Sequence, residues 1–145
     1  MKAIPLVIFL SYLFSCSPSF ADLHQWKVIR AIDGDTIEVE SPFLPKELKL
    51  FVRVLGIDTP EKGGRAKCKA EADLAIKASK FTESFFKALG NKAYFSNIKW
   101  DKFGGRVLAN VGIEENNLAE ELINRGYARA YNGEKKKSWC RNAPL

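Results

Sequence analysis

The spacing of apolar residues changes once along this chain, and the change restricts the folds that it can adopt. Residues 26–31, 36–40 and 47–55 are β-branched or apolar at alternate positions, which predicts three β-strands. Between residues 70 and 89 the apolar side chains instead recur every three or four positions, the spacing of one face of an amphipathic helix. Gly90 follows, and a glycine commonly ends a helix. The sequence therefore predicts strands first and a long helix after them.

Two more strands and a second helix are predicted beyond the long helix. Residues 93–98 and 107–111 are short apolar segments separated by a polar turn. Asn117 stands three residues before Glu120, the spacing between an N-cap and an acid in the first helical turn, and Gly126 is the predicted end of that helix. Five strands, a long helix between the third and fourth, and a short helix after the fifth make up an α+β, mainly β, OB-fold barrel.

The first 21 residues have the features of a secretory signal peptide. A basic residue precedes an apolar stretch without charges, and the small residues Ser19 and Ala21 precede a possible cleavage point. The stretch is shorter than the roughly 20 apolar residues that span a bilayer. Residues 22–145 are then expected to form a single domain that is secreted or periplasmic after cleavage near Ala21. Cys16 leaves open a lipid-anchored form; without lipidation, no membrane contact is expected.

Export also determines how the cysteines are interpreted. Once Cys16 is lost with the signal peptide, Cys68 and Cys140 remain as an even pair in an oxidising compartment, which predicts a disulfide bond between them. Such a bond would close a long loop and tie the basic residues 135–137 to the start of the long helix. The alternative is two free thiols.

The balance of charge favours a polyanionic partner. There are 23 Lys and Arg residues against 17 Asp and Glu, a net charge of +6, which suits nucleic acid or an anionic membrane surface. After the second predicted helix, Tyr127, Arg129 and Tyr131 alternate. Interleaved aromatic and basic side chains can stack on bases and pair with phosphates. The alternative is that the tyrosines cover the core.

Three short segments combine carboxylates with arginines at predicted turns. They are residues 33–36, 53–61 and 101–106. Each segment alone is compatible with an ordinary hairpin turn or a solvent-facing strand. Asp35 and Asp58 offer hard oxygen ligands, which suit Ca²⁺ or Mg²⁺ far better than zinc. His24 is the single histidine, so the sequence after the signal peptide offers no histidine and cysteine cluster for zinc.

Together these segments meet the requirements of phosphodiester cleavage. Negative charge on the phosphoryl group must be stabilised and a water molecule must be activated. Arg53 and Arg106 could hold phosphate oxygens in a forked geometry that lysine does not offer. Glu61 is the carboxylate left to act as general base once Asp35 and Asp58 bind a metal ion.

One known protein family has the same segments in the same order. The matching residues are Asp33-Gly34-Asp35-Thr36, Arg53, Asp58-Thr59-Pro60-Glu61 and Asp101-Lys102-Phe103-Gly104-Gly105-Arg106. With this order and spacing, the chain resembles the staphylococcal nuclease (thermonuclease) family over roughly residues 28–131. The resemblance implies an OB-fold, Ca²⁺-dependent endonuclease that acts on both DNA and RNA and leaves 3′-phosphate ends.

The resemblance also implies how a metal ion and a water molecule would be held. Asp35 and Asp58 would bind Ca²⁺ through their carboxylates, and Thr59 would bind it through its backbone carbonyl. Glu61 would orient or deprotonate the attacking water.

Basic and aromatic residues would hold the substrate in this resemblance. Arg53 and Arg106 would clamp the phosphate, while Lys102 and Tyr131 would assist substrate binding. One departure concerns Arg106, because one more glycine precedes it than in the usual Tyr-Gly-Arg of the family. An extra residue in a strand pair predicts a bulge, which would re-aim the arginine.

A different class of function is the main alternative. The chain could be a catalytically inactive OB-fold module that binds nucleic acid or a protein, with or without a lipid anchor. Such modules of the family typically have other residues at the acidic and arginine positions, whereas all of those positions are filled here. No sequence pattern predicts an oligomer, so a monomer is expected.

Overall fold

The structure is a computed structural model that describes residues 23–88, 90–113 and 115–140. The predicted signal peptide, with Cys16 and Ala21, lies outside the described residues, as does position 89 of the predicted helix. The elements in chain order are β1 (His24–Ala31), β2 (Thr36–Glu40), β3 (Leu50–Val54), β4 (Ile57–Asp58), a 3₁₀ turn (Gly63–Arg65), α1 (Lys69–Lys87), β5 (Lys92–Trp100), β6 (Arg106–Ile113), β7 (Asn116–Asn117), α2 (Leu118–Asn124) and β8 (Arg129–Ala130).

Five of these strands form a closed barrel. β1 pairs antiparallel with both β2 and β5, β2 pairs antiparallel with β3, and β5 pairs antiparallel with β6. A parallel pairing of β3 with β6 closes the circle, with Val52 opposite Val107. Closure removes the exposed sheet edges that an open sheet would have. The predicted mainly β OB-fold barrel with two helices is confirmed.

Alternate residues of the barrel strands fill its interior. In β3, Leu50, Val52 and Val54 are buried, whereas Phe51 and Arg53 between them are only partly buried. Trp26 stacks on Phe95 in the core with 4.8 Å between ring centroids. Each such fully buried apolar side chain contributes about 1.5–3 kcal/mol of transfer free energy. The packing of the interior therefore determines which strand face points inward and which face, with Arg53, points outward.

The third strand is shorter than predicted. It begins at Leu50, whereas the sequence predicted strand from residue 47. The amide of Leu48 donates to the carbonyl of Pro45 in a turn, and the Leu48 side chain is 57% exposed. The prediction placed the start of the strand too early because Leu48 continues the apolar alternation although its side chain lies outside the core.

The long helix is present, but its buried face is rotated by about one residue from the prediction. The predicted face included Ala70, Leu74, Ala78, Phe81 and Phe85; the buried residues are Glu71, Ala75, Ala78, Thr82 and Phe86. Two of the buried residues are polar, so apolar periodicity alone could not locate this face. Phe81 and Phe85 pack partly buried at its border.

The buried polar residues of α1 hold the loops of the barrel. Thr82 Oγ1 donates to the carbonyl of Gly34 at 2.7 Å, in the turn between β1 and β2. A Cβ atom on Gly34 would lie 2.8 Å from the Cβ of Ala78, so only glycine permits this close approach. The helix therefore clamps the turn that carries two aspartates.

The second helix starts and ends where the sequence predicted. The side chain of Asn117 accepts hydrogen bonds from the amides of Ala119 and Glu120, as an N-cap does. Gly126 follows with a positive φ of 71°. The chain then returns to the barrel, because β8 pairs with β4 and sets Arg129 opposite Asp58. Within the described ranges, no helix has the length and apolarity needed to cross a bilayer.

The predicted disulfide is present and joins Cys68 to Cys140 across a sequence separation of 72 residues. Replacing both cysteines by serine is expected to lower the free energy of unfolding by about 4 kcal/mol, because the open chain gains the entropy of a long unclosed loop. Urea unfolding of the oxidised protein, the reduced protein and the double variant measures this. An unchanged urea midpoint after full reduction would contradict the prediction.

Candidate active site

A groove of about 600 Å³ gathers most of the residues that the sequence predicted for catalysis and binding. It lies between the β1–β2 turn, the loop after β4 and the β5–β6 hairpin. The predicted residues that line it are Asp35, Arg53, Thr59, Glu61, Lys102, Arg106 and Tyr131. Asp58 does not line this groove, although Thr59 and Glu61 of the same motif do. Asp58 faces a smaller pocket beside it.

Asp35 and Arg53 form the centre of the groove. Strand pairing sets Arg53 opposite Thr36, which brings its Nη1 to 3.0 Å from Asp35 Oδ2. Arg53 Nη2 also donates to the carbonyl of Ile57 at 3.3 Å. Thr36 Oγ1 donates to Asp35 Oδ1 at 3.0 Å. Two strands and two hydrogen bonds therefore hold this pair in one geometry.

The charge of Arg53 does not fully offset the burial of the Asp35 carboxylate. Burial raises the pKa of Asp35 from 3.8 to about 6; the charge of Arg53 opposes the increase, and the neighbouring Asp33 adds to it. Asp33 Oδ1 is itself buried and has no hydrogen-bond partner among the described residues. Buried carboxylate oxygens that nearby arginines neutralise only in part suit a divalent cation such as Ca²⁺ or Mg²⁺. Asp35 therefore offers the type of ligand that the predicted metal ion takes.

The raised pKa of Asp35 predicts a gain of stability when its charge is removed. Between pH 3.8 and about pH 6 the folded protein holds a proton that the unfolded chain has released, so stability falls as pH rises through this window. In EDTA near pH 7 the variant Asp35→Asn should unfold with a free energy about 1–3 kcal/mol higher than wild type, since one pKa unit is about 1.4 kcal/mol.

Urea unfolding in EDTA near pH 7 and near pH 4 tests this prediction. The advantage of Asp35→Asn should shrink towards pH 4, where the wild-type carboxyl is neutral in the folded state. Asp73→Asn on the exposed face of α1 is a control for the same chemical change. A variant less stable than wild type near pH 7 would contradict the predicted sign.

Asp58 and Glu61 contact a different part of the chain. Asp58 is buried, and its Oδ1 lies 2.6 Å from the ammonium of Lys136. Its Oδ2 accepts a hydrogen bond of 3.1 Å from the indole N–H of Trp139. Glu61 lies between Arg65, at 3.2 Å, and Lys136, at 3.5 Å. Both carboxylates are therefore paired with cations.

Arg106 is held by an ion pair within its own hairpin. Its Nε donates to Asp101 Oδ2. Burial acts to raise the pKa of Asp101, but the hydrogen bond and the charge of Arg106 outweigh burial and lower it. Arg106 lines the groove, so a bound phosphate would compete with Asp101 for the same guanidinium.

The extra glycine does not produce the predicted bulge before Arg106. Gly104 and Gly105 both have a φ of 69° and lie in the turn itself, where two left-handed residues favour glycine. The irregularity of the β5–β6 pairing lies between Ser96 and Lys99 instead. The strand pairing is regular from Lys99 onward, so both glycines belong to the turn and not to the paired strand.

Comparison with known proteins bears directly on this arrangement. The model of one protein family, described as staphylococcal nuclease homologue, matches residues 51–143. This chain belongs to the staphylococcal nuclease family.

Three relatives of this family member differ in how much of their length aligns. An uncharacterized protein of Methanocaldococcus jannaschii is 35% identical over 147 residues, which cover 83% of this chain and 67% of that protein. A thermonuclease of Staphylococcus hyicus is 32% identical over 119 residues, covering 80% of this chain and 64% of the relative. An uncharacterized endonuclease of Escherichia coli O157:H7 is 43% identical over 61 residues, which cover 42% of this chain and 35% of that protein. The aligned part thus spans about two thirds or less of these relatives.

In this member of the staphylococcal nuclease family, several residues that surround the groove were missed by the sequence interpretation. The Glu71 carboxylate accepts a hydrogen bond of 3.2 Å from the backbone amide of Glu61 and thereby positions the loop after β4. An acid in the first turn of a helix is usually exposed, so the sequence carried no signal of its burial. Lys136 and Trp139 were missed as partners of Asp58. A tryptophan inside a basic run was the available signal for them.

Proposed function

We propose that this protein is a secreted, Ca²⁺-dependent endonuclease that hydrolyses phosphodiester bonds of DNA and RNA and leaves 3′-phosphate ends. The observation that carries the proposal is the groove in which the buried Asp35, paired with Arg53, meets Glu61 and Arg106. Membership of the staphylococcal nuclease family supports it, as do relatives described as thermonuclease and endonuclease. The N-terminal sequence and the disulfide support export.

The residues of the groove have distinct roles in the proposed reaction. Arg53 and Arg106 bind the phosphate oxygens and stabilise the charge that grows on them. Glu61 orients the attacking water and accepts its proton. The water oxygen forms a bond to phosphorus as the bond to the 5′ oxygen breaks, and that oxygen takes up a proton from solvent. Lys102 and Tyr131 contact the nucleotide beside the phosphate.

Asp35, Asp58 and the carbonyl of Thr59 would hold the proposed Ca²⁺. When bound, the ion would neutralise charge on the phosphate. Asp35 is preorganised for it by Thr36 and Arg53, whereas Asp58 is turned towards Lys136 and Trp139.

Incubating the protein lacking residues 1–21 with single-stranded DNA or RNA, in Ca²⁺ or in EDTA, tests the proposal. Cleavage in Ca²⁺, its loss in EDTA and 3′-phosphate ends on the products are the expected results. Binding of either nucleic acid without Ca²⁺-dependent cleavage would overturn the proposal. That outcome would favour an inactive binding module, which the pairing of Asp58 and Glu61 with lysine and arginine also fits.

The edge of the groove offers an aromatic surface for bases. Trp100 and Phe103 are each 75% exposed and line the groove beside Lys99 and Lys102. Exposed aromatic rings between cations suit the bases and phosphates of a single strand. Trp100→Ala is therefore expected to weaken binding of single-stranded DNA in EDTA about tenfold, the size of one lost base stack.

Fluorescence anisotropy with a labelled oligonucleotide measures this loss of affinity. Phe43→Ala removes an equally exposed aromatic ring outside the groove and should leave affinity unchanged. Equal loss in the two variants would mean that Trp100 acts through general surface hydrophobicity.

A further inference from the structure

A basic segment, residues 135–140, lies against the carboxylates that follow β3. Two of its side chains engage both oxygens of Asp58: the ammonium of Lys136 is 2.6 Å from Oδ1, and the indole of Trp139 donates to Oδ2 at 3.1 Å. The same ammonium is 3.5 Å from Glu61 Oε1. Lys136 thus lies between two carboxylates that the proposed reaction uses, and it also lines the groove.

The basic segment is held in place from both sides. At its end, Cys140 is joined to Cys68 just before α1. On its other side, Arg129 donates to the carbonyl of Ser138 at 2.9 Å, and its guanidinium lies 3.7 Å from the centre of the Trp139 ring. These contacts keep Lys136 at a high effective concentration beside Asp58.

Lys136 and a divalent cation would require the same carboxylate oxygen. The burial of Asp58 makes an uncompensated charge there costly, so some cation is needed at this position. Lys136 supplies this cation, because its ammonium lies 2.6 Å from Asp58 Oδ1. An ammonium and a calcium ion repel one another, and one carboxylate oxygen cannot serve both at contact distance.

We propose that Lys136 is a built-in counter-ion of the metal site: it neutralises Asp58 when no divalent cation is bound, and it leaves Asp58 when one binds. Trp139 donates to the other oxygen and keeps the carboxylate oriented during this exchange. The inference rests on the proposed function, because Asp58 is a metal ligand only in that proposal. Its consequence is a lower affinity for Ca²⁺ than the carboxylates alone would give.

Calorimetric titration with Ca²⁺ alone, without nucleic acid, tests the exchange. Lys136→Met should bind Ca²⁺ about two- to fivefold more tightly than wild type, the range that a half-exposed ion pair permits. Lys136→Arg, which keeps the charge, should remain close to wild type. Lys135→Met removes the same charge from an exposed neighbour and is the matched control. Equal or weaker binding by Lys136→Met would overturn the proposal.

Release of the basic segment provides a second readout. Cys140→Ser should also tighten Ca²⁺ binding, because one of the two contacts that hold Lys136 beside Asp58 is then lost. In the background of Lys136→Met, the same change should give no further gain, since the two effects act through one contact. Independent, additive gains would contradict the proposal. Circular dichroism establishes that the variants compared are folded.

The outcomes separate this inference from the proposed function. Tighter Ca²⁺ binding by Lys136→Met without cleavage by any protein would refute the nuclease and keep the counter-ion. Ca²⁺-dependent cleavage by wild type, with the same Ca²⁺ affinity in Lys136→Met as in wild type, would support the nuclease and refute the counter-ion. No measurable Ca²⁺ binding by either protein would overturn both.

Discussion

Glu61→Gln is expected to lower turnover of single-stranded DNA in Ca²⁺ by about 10²- to 10⁴-fold, the contribution typical of a general base. The amide keeps the size of the side chain but cannot accept a proton from water at neutral pH. The backbone of Glu61 is held by Glu71 through a main-chain amide, which the substitution leaves in place. The loss should therefore appear in kcat, with little change in KM.

Steady-state kinetics with a short labelled oligonucleotide measures this loss. Glu83→Gln, on the exposed face of α1 and paired with Lys87, makes the same chemical change far from the groove lining and should retain activity. Turnover of Glu61→Gln within a few-fold of wild type would remove this residue from the proposed mechanism.

Arg53→Lys is the second substitution with a large expected effect, a loss of about 10²- to 10³-fold in kcat/KM. Removing one preorganised donor to a developing oxyanion has a cost of this size. Lysine keeps the charge but loses the planar fork, which here contacts both Asp35 and the carbonyl of Ile57. The single ammonium of lysine cannot keep both of these contacts and also donate two parallel hydrogen bonds to phosphate oxygens.

A charge-preserving substitution also separates geometry from electrostatics. Arg125→Lys, at the end of α2, is the matched control outside the groove. Thermal unfolding should show Arg53→Lys still folded at the assay temperature. If Arg53→Lys loses no more than a few-fold of kcat/KM, positive charge alone suffices and the forked contact is not needed.

The site places two carboxylates in buried positions, each beside a cation: Asp35 lies beside Arg53 and Asp58 beside Lys136. Burial still raises the pKa of Asp35, so its charge costs folding free energy at neutral pH. A protein that must bind a divalent cation has to keep such carboxylates, and stability is commonly lost at functional sites for this reason.

The sequence predicted the barrel well because its signals are local. Alternation along a strand reflects which face of that strand is buried, and this can be seen within five residues. The Asn117 cap, the turn that carries Asp35 and the position of Arg53 on the next strand follow from the same short-range rules. The prediction from local pattern was wrong where buried polar side chains hold the structure together, as Glu71 and Thr82 do on the buried face of α1.

By itself, then, the sequence determined the OB-fold order of elements, the family, the cysteine pair and the chemical types of the site residues. Only the tertiary structure decided which cations neutralise Asp58. Lys135, Lys136 and Lys137 are equivalent in sequence, and only Lys136 of the three reaches that carboxylate. The choice depends on the disulfide, the β4–β8 pairing and the hydrogen bond from Trp139 to Asp58, which join segments some 70 to 80 residues apart. It also depends on Arg129, which stacks on Trp139. Periodicity reports which face of an element is buried, and it carries no information on which distant segment covers it.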